Sequence, residues 1–271
     1  SVFGTPLAGT LFAMEVLAVG GMRYLALVPC LVAAFVGDWV VRAIGVPHTH
    51  LAIAAIPEVT PLVIGKVLVA AAVFAVVSGI FSEGVHRVND MSKRWLPNAM
   101  LRALVGGVLV IVLTLSVGTF AFNGLSLPLM QDAFTAAGVP TWAFAGKLLL
   151  TVVTLGFGYK GGEVTPLFVI GATLGAALAP FLALPADLLA ALGFIAVFAA
   201  AANTPLACIL MGIEIFGGAP LHLIAICTIV TYTLTGHRGI YLAQRIMTHK
   251  YDHDVDTQTR TRLRDVHKPD A

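Results

Sequence analysis

Apolar runs follow one another along almost the whole chain, and most of them are too short to cross a bilayer. From Pro6 to Leu234, stretches rich in Leu, Val, Ile, Ala and Phe alternate with Gly and Pro breaks. A spanning helix needs about 20 consecutive apolar residues, a length reached by runs such as Tyr24 to Ile44 and Pro61 to Phe81 but not by several others. Backbone inside hydrocarbon must satisfy its own polar groups, so the short runs predict short, tilted and re-entrant helices packed within a larger helical body. With 58% hydrophobic and 11% charged residues, the chain lies outside the range of soluble domains. The expected fold class is an all-α polytopic membrane protein.

The chain carries an internal repeat. Residues 3 to 17 read FGTPLAGTLFAMEVL and residues 202 to 216 read ANTPLACILMGIEIF. Both contain Thr-Pro-Leu-Ala, and both place a glutamate ten positions after the threonine, Thr5 to Glu15 and Thr204 to Glu214. Such repeats in membrane proteins predict two related halves, often of inverted topology, with the working site between them. Glu15 and Glu214 are expected to be structural, through helix capping or helix-to-helix hydrogen bonds. The domain reading follows: residues 1–58 end a first half, 59–247 form a second half, and 248–271 are a polar tail.

The working site is read at Gly161-Gly162-Glu163-Val164-Thr165-Pro166, where an ionisable side chain interrupts apolar sequence. Residues 141 to 157 precede it and Leu167 to Pro180 follow, the pattern of a broken helix pair. Pro166 suits a helix start because its missing N–H is unused there. The free amides of that start and the positive end of its dipole favour an anion. An intramembrane carboxylate such as Glu163 is a functional candidate by default; the alternatives are that it complements the helix dipole or sits in a solvated loop mouth.

Other segments are read as follows. Asp38 and Arg42, four apart, are set to pair on one helix face. His48 and His50 lie in a Pro-containing stretch and form only two of the ligands a metal needs, so a wet loop is expected and no metal site. Cys30, Cys208 and Cys227 lie in apolar runs without metal spacing and are read as free thiols. Basic residues in Arg87 to Arg102 and in the tail place both segments on the cytoplasmic side. A helical continuation of Pro61–Phe81 is expected through His86 to Met91, helices over Ala103–Phe120 and Thr141–Phe157, and at most one short helix in Asn123–Pro140. Later helices fall at Leu188–Ala202, Pro205–Phe216 and Leu221–Leu234. The Gly236-His237-Arg238-Gly239 break is expected to start a last helix carrying Tyr241, whose phenol can donate to an anion; an interfacial belt position is the other reading of this residue. The opening Ser1 to Pro6 lacks an initiator Met and a signal pattern, which predicts a natural start further upstream.

These residues resemble the family of CLC chloride channels and proton-coupled anion antiporters. FGTPLAGTLFAMEVL resembles the helix pair of the family's first half, GGEVTPLFVIGATLG its Gly-x-Phe-x-Pro anion-site motif, and GHRGIYLAQ the segment that supplies an anion-coordinating tyrosine, here Tyr241. The resemblance covers essentially the whole chain and implies a CLC-type inverted-repeat architecture. Chloride-handling members have Phe where this chain has Val164, and the Glu163-Val164-Thr165 version resembles the fluoride-exporting branch, which exchanges fluoride for protons. Where chloride antiporters carry an internal proton-relay glutamate, this chain has Val16, which implies that the proton takes another route or uses Glu163, the proton-coupling candidate. The family's gating glutamate and central serine segments would precede Ser1, so residues 1 to 271 alone are not expected to transport, and ion flux from them alone would overturn that expectation.

The resemblance implies a fluoride/proton antiporter of the bacterial inner membrane, multi-pass and homodimeric, with contacts over residues 11 to 45 and 205 to 235. Its anion site comprises Gly162, Glu163, Val164, Thr165 and Tyr241; a chloride or other anion channel, or a chloride/proton antiporter, of the same family is the alternative. Protons, a second copy and the lipid bilayer are the expected partners, without nucleic acid or cofactor. An intramembrane enzyme would draw on Glu163 with His222 or His237, but no nucleophile stands beside them in a recognisable motif. A structural membrane subunit without a pathway is the remaining alternative.

Overall fold

The computed structural model describes residues 3–45, 51–135, 138–247 and 250. His48 and His50, and the tail beyond Lys250, lie outside the described residues. Ten α-helices dominate: α1 (Pro6–Glu15), α2 (Leu27–Ala43), α3 (Pro61–Trp95), α4 (Ala99–Val117), α5 (Leu127–Asp132), α6 (Ala143–Gly156), α7 (Val164–Leu182), α8 (Ala186–Ala202), α9 (Pro205–Phe216) and α10 (Leu221–Thr235). Among the described residues four segments are long and apolar enough to cross a membrane: Tyr24–Ala43, α3, α4 and α7. Asp38 accepts from Arg42 Nε at 2.7 Å, as the spacing predicts.

The core is built on α7 and α8. Every residue from Leu188 to Ala202 is buried, so the 17-residue α8, too short to span on its own, is enclosed by protein rather than by lipid. Glycines allow that enclosure. A Cβ built on Gly171 would fall on the Gly193 carbonyl oxygen, and one on Gly175 would fall on the Leu189 carbonyl oxygen, so the two backbones touch. Across the contact Phe194 stacks on Phe168 and Phe198 meets it edge-on, with ring centroids 4.1 and 4.9 Å from Phe168. Hydroxyls tie α3 into the same body: Ser78 Oγ donates to Val197 O at 3.1 Å, and Thr231 Oγ1 of α10 donates to Ala71 O at 3.2 Å. By contrast α2 and α4 leave most of their residues exposed.

The two repeat copies cap each other. Pro6 and Pro205 open α1 and α9, and neither Thr5 nor Thr204 caps its own helix with its side chain. Instead the Glu214 carboxylate accepts from Leu7 N and Ala8 N at 3.0 and 2.8 Å. Reciprocally, Glu15 accepts from Leu206 N and Ala207 N at 3.1 and 2.8 Å. A carboxylate at the end of each short helix thus satisfies the first free amides of the other, where the helix dipole also favours negative charge.

The expected last helix does not form. Residues 236–247 run as turns and a two-residue strand, Arg245–Ile246 (β2), parallel to Ala18–Val19 (β1). Tertiary partners claim this backbone: Arg245 N donates to Leu17 O, Met247 N to Val19 O and Ile240 N to Ala201 O. The Gln244 amide donates to both Val16 O and Ala202 O, the carbonyls just beyond α1 and at the end of α8.

Glu15→Gln and Glu214→Gln each remove a charge-assisted acceptor pair, and each is expected to cost about 1–3 kcal/mol. Their sites lie about 15 Å apart along a ten-residue helix, so the losses should add in the double variant. Unfolding of the purified proteins in detergent checks both the size and the additivity.

Candidate functional site

The break between α6 and α7 falls at Phe157–Glu163, and its residues become less exposed as the chain re-enters the protein. Gly161 and Gly162 are exposed, Glu163, Val164 and Thr165 are half-buried, and Pro166 is buried. Glu163 occupies the N-cap position of α7 yet makes no capping hydrogen bond with its side chain. Leu167 N already donates to Glu163 O at 3.3 Å, and Pro166 has no N–H. The helix therefore leaves the amides of Glu163, Val164 and Thr165 unused, and among the described residues no side chain accepts from them. Thr165-Pro166-Leu167 repeats the Thr-Pro-Leu that opens α1 and α9, here inside the first turn of α7. Those two starts receive a glutamate from elsewhere in the chain; among the described residues this one does not.

Three cavities meet at this turn. An apolar one of about 270 Å³ lies between α1, α7 and α9 and is walled by Val164, Thr5, Phe168 and Cys208. A second, of about 380 Å³, runs along α6 past Lys147, Thr151 and Thr154 to Gly161, Gly162 and Pro166. A third, of about 310 Å³, holds Glu163 with His86, Asp90, Lys93, Tyr159 and Lys160. Glu163 and His86 are near enough for their charges to interact, as are Glu163 and Tyr241. The candidate residues are thus divided: Glu163 and Tyr241 are brought into electrostatic reach, Val164 faces the apolar cavity, and Gly162 lines the cavity of Lys147.

Five further residues were not part of the site as read from the sequence. Lys147 is 2% exposed, and its ammonium donates to Phe122 O, Gly124 O and Ser126 Oγ at 3.1, 2.6 and 2.9 Å. A lone lysine inside an apolar run was the signal for it. His86, Asp90 and Lys93 recur at helical spacing on the polar end of α3, a pattern visible in the sequence. Lys250 had no such signal. It belongs to the stretch expected to be a solvated tail, yet its Nζ donates to Asn203 Oδ1 at 2.8 Å, to Tyr232 O at 3.0 Å and to Gly236 O, and sits 3.6 Å from the Tyr232 ring centroid. It thereby fastens the Gly236 turn that leads to Tyr241. Burial pushes its ammonium down to about 7.

Residues 1–236 match the family model described as voltage gated chloride channel. The chain belongs to this family. A chloride/fluoride channel protein of Pseudomonas syringae pv. tomato is 46% identical over 266 residues, covering 96% of this chain and 59% of that relative. The H(+)/Cl(-) exchange transporter ClcA of Vibrio cholerae is 25% identical over 261 residues, 89% of this chain and 55% of its own length. Among solved structures, a CLC-type fluoride/proton antiporter aligns with a TM-score of 0.88 at 36% identity, over 90% of this chain and 62% of that one. A slow cyanobacterial Cl-/H+ antiporter aligns with a TM-score of 0.70 at 23% identity, over 86% and 57%, and shows the shared fold. The chain therefore spans about three fifths of the relatives it matches. Its all-α architecture of short and re-entrant helices is that of CLC antiporters, and it is a membrane protein of this voltage gated chloride channel family.

Lys250→Met removes the tether to Gly236 and should lower stability by about 1–3 kcal/mol. The folded value of Lys250 lies below that of a free lysine, so between about pH 7 and 10 the folded state binds fewer protons than the unfolded one. Stability of the wild type relative to K250M is therefore expected to rise with pH across that window, as thermal unfolding at several pH values will report.

Proposed function

We propose that this chain supplies the second-half pathway of a fluoride/proton antiporter that exports fluoride across the cytoplasmic membrane. The observation that carries the reading is the uncapped start of α7. Three amides point no bond at any described side chain, while a carboxyl group stands beside them in a cavity lined by His86, Lys93 and Lys160. Similarity to proteins named for fluoride supports the choice of anion.

Fluoride is small, strongly hydrated and a strong acceptor, so leaving water requires firm donors. In this reading the amides of Val164 and Thr165, the Thr165 hydroxyl and the Tyr241 phenol supply them, Gly162 keeps the approach open, and Val164 separates the site from the apolar cavity. Glu163 carries the proton. A carboxyl group at a partly dry position interconverts between acid and carboxylate as an anion arrives or leaves. Residues 1–58 end the first repeat half and 59–247 form the second, and the crossed glutamates join them. The basic end of α3 and the tail face the cytoplasm by the positive-inside rule. The exposed apolar face of α2, with Val32, Phe35 and Trp39, belongs to a homodimer interface that α9 and α10 extend.

The test is fluoride and chloride efflux with simultaneous proton uptake, from liposomes holding the full-length parent of this chain and its Glu163→Gln variant. Fluoride efflux with matched proton uptake in the wild type, and proton movement reduced at least about tenfold by the substitution, is expected. Equal chloride and fluoride flux would instead favour the chloride exchange named for ClcA. Indifference of all flux to Glu163 would remove the residue from the pathway.

A further inference from the structure

The third cavity contains a residue that the anion site does not require. His86, Asp90 and Lys93 stand one and two turns apart on one face of α3 and line this cavity together with Glu163. At about 1.5 Å per residue the 35-residue α3 is about 52 Å long, well beyond the roughly 30 Å of bilayer hydrocarbon. Its polar C-terminal turns, which carry the cavity, therefore reach water. The cavity is the wet side of Glu163.

His86 is held there in one tautomer. Its Nε2 lies 2.9 Å from Gly239 O, and a carbonyl can only accept, so Nε2 carries the hydrogen and Nδ1 keeps its lone pair. We propose that His86 is the proton relay between the vestibule and Glu163. Nδ1 takes a proton from vestibule water, and the N–H formed there gives it to the Glu163 carboxylate. Neutral imidazole and a neutral carboxylic acid remain. Nε2–H stays on Gly239 O throughout, so the ring need not turn over. Gly239 is two residues from Tyr241, which joins the relay to the segment that holds the phenol.

Charged groups from several elements surround this imidazole. On α3 they are Asp90 and Lys93; Glu83 is already paired with Arg87 at 2.6 Å and with Arg238 of the turn at residues 236–239. From the α6–α7 break come Lys160, Tyr159 and Glu163, and from the C-terminal segment Tyr241. Lys93 and Lys160 stand at the exposed rim of this cavity.

The inference rests on the proton-exchange reading above, and the experiment separates the two. Fluoride efflux and proton uptake are measured from about pH 5.5 to 8, the range in which histidine changes charge, for the full-length parent of this chain and its His86→Gln and Asp90→Asn variants in liposomes. Gln keeps an N–H for Gly239 O but carries no proton. H86Q is expected to lower proton-coupled fluoride efflux at least about tenfold and to abolish the pH step. D90N, an exposed substitution, is expected to move that step to lower pH, and it carries the test if H86Q does not fold. A wild-type profile in H86Q, or a rate loss with the pH step intact, or an unmoved step in D90N, overturns the relay and leaves proton exchange standing. Absence of proton movement in the wild type overturns both.

Discussion

The first amides of a helix buried in a membrane protein need an acceptor, and the architecture depends on how this chain supplies one. At α1 and α9 the acceptor is a carboxylate from the far end of the other helix, in two bonds of 2.8 to 3.1 Å at each end. Neither short helix is complete without its partner. The pair therefore forms as a unit, and it draws together residues about 200 positions apart. The same chemistry bears on the proposed site. A third Thr-Pro start, at α7, has no glutamate directed at its amides among the described residues, and its own Glu163 looks into a cavity instead.

That start is held firmly because of what lies behind it. Gly171, Gly175 and Gly193 let α7 and α8 approach until backbone meets backbone, and the phenylalanine stack closes the remaining space. Close-packed interiors transmit small displacements rather than absorb them, so the register of α7 on α8 sets where Glu163, Val164 and Thr165 stand. On the other side, the segment carrying Tyr241 is fastened by Gln244, Asn203 and Lys250, each bonded to backbone or to another member of the group. A rigid helix and a tied irregular segment thus face each other across the cavities. Such pre-arranged donors lose little order when a small anion replaces its water.

The helices themselves were legible in the sequence. Pro205–Phe216 has the bounds that its flanking Thr-Pro and Gly suggest, and the α6–α7 break sits at the glycines of residues 158–162. These features depend on local chemistry, on proline starts, glycine stops and the length of apolar runs. The segment after Gly236 was not legible. Its apolar and polar residues suit a helix, and they were overruled by the carbonyls of Leu17, Val19 and Ala201, none of them sequence neighbours. Lys250 is the sharper case, since a lysine beside a polar tail gives no sign that it will dock onto Tyr232 and Gly236.

By itself the sequence determined that this chain is a bundle of short membrane helices with a repeated Thr-Pro-Leu-Ala unit, a broken helix at Gly161–Pro166 and one carboxylate beside it. Those properties follow from hydrophobic length and backbone stereochemistry, which act within a few residues. Only the tertiary structure decided that Glu15 and Glu214 are exchanged between helices, that the residues around Glu163 line three separate cavities, and that His86 shares one of them with Glu163. Acceptors for buried amides and neighbours for buried charges are chosen by packing across the whole chain, and no window of sequence contains them.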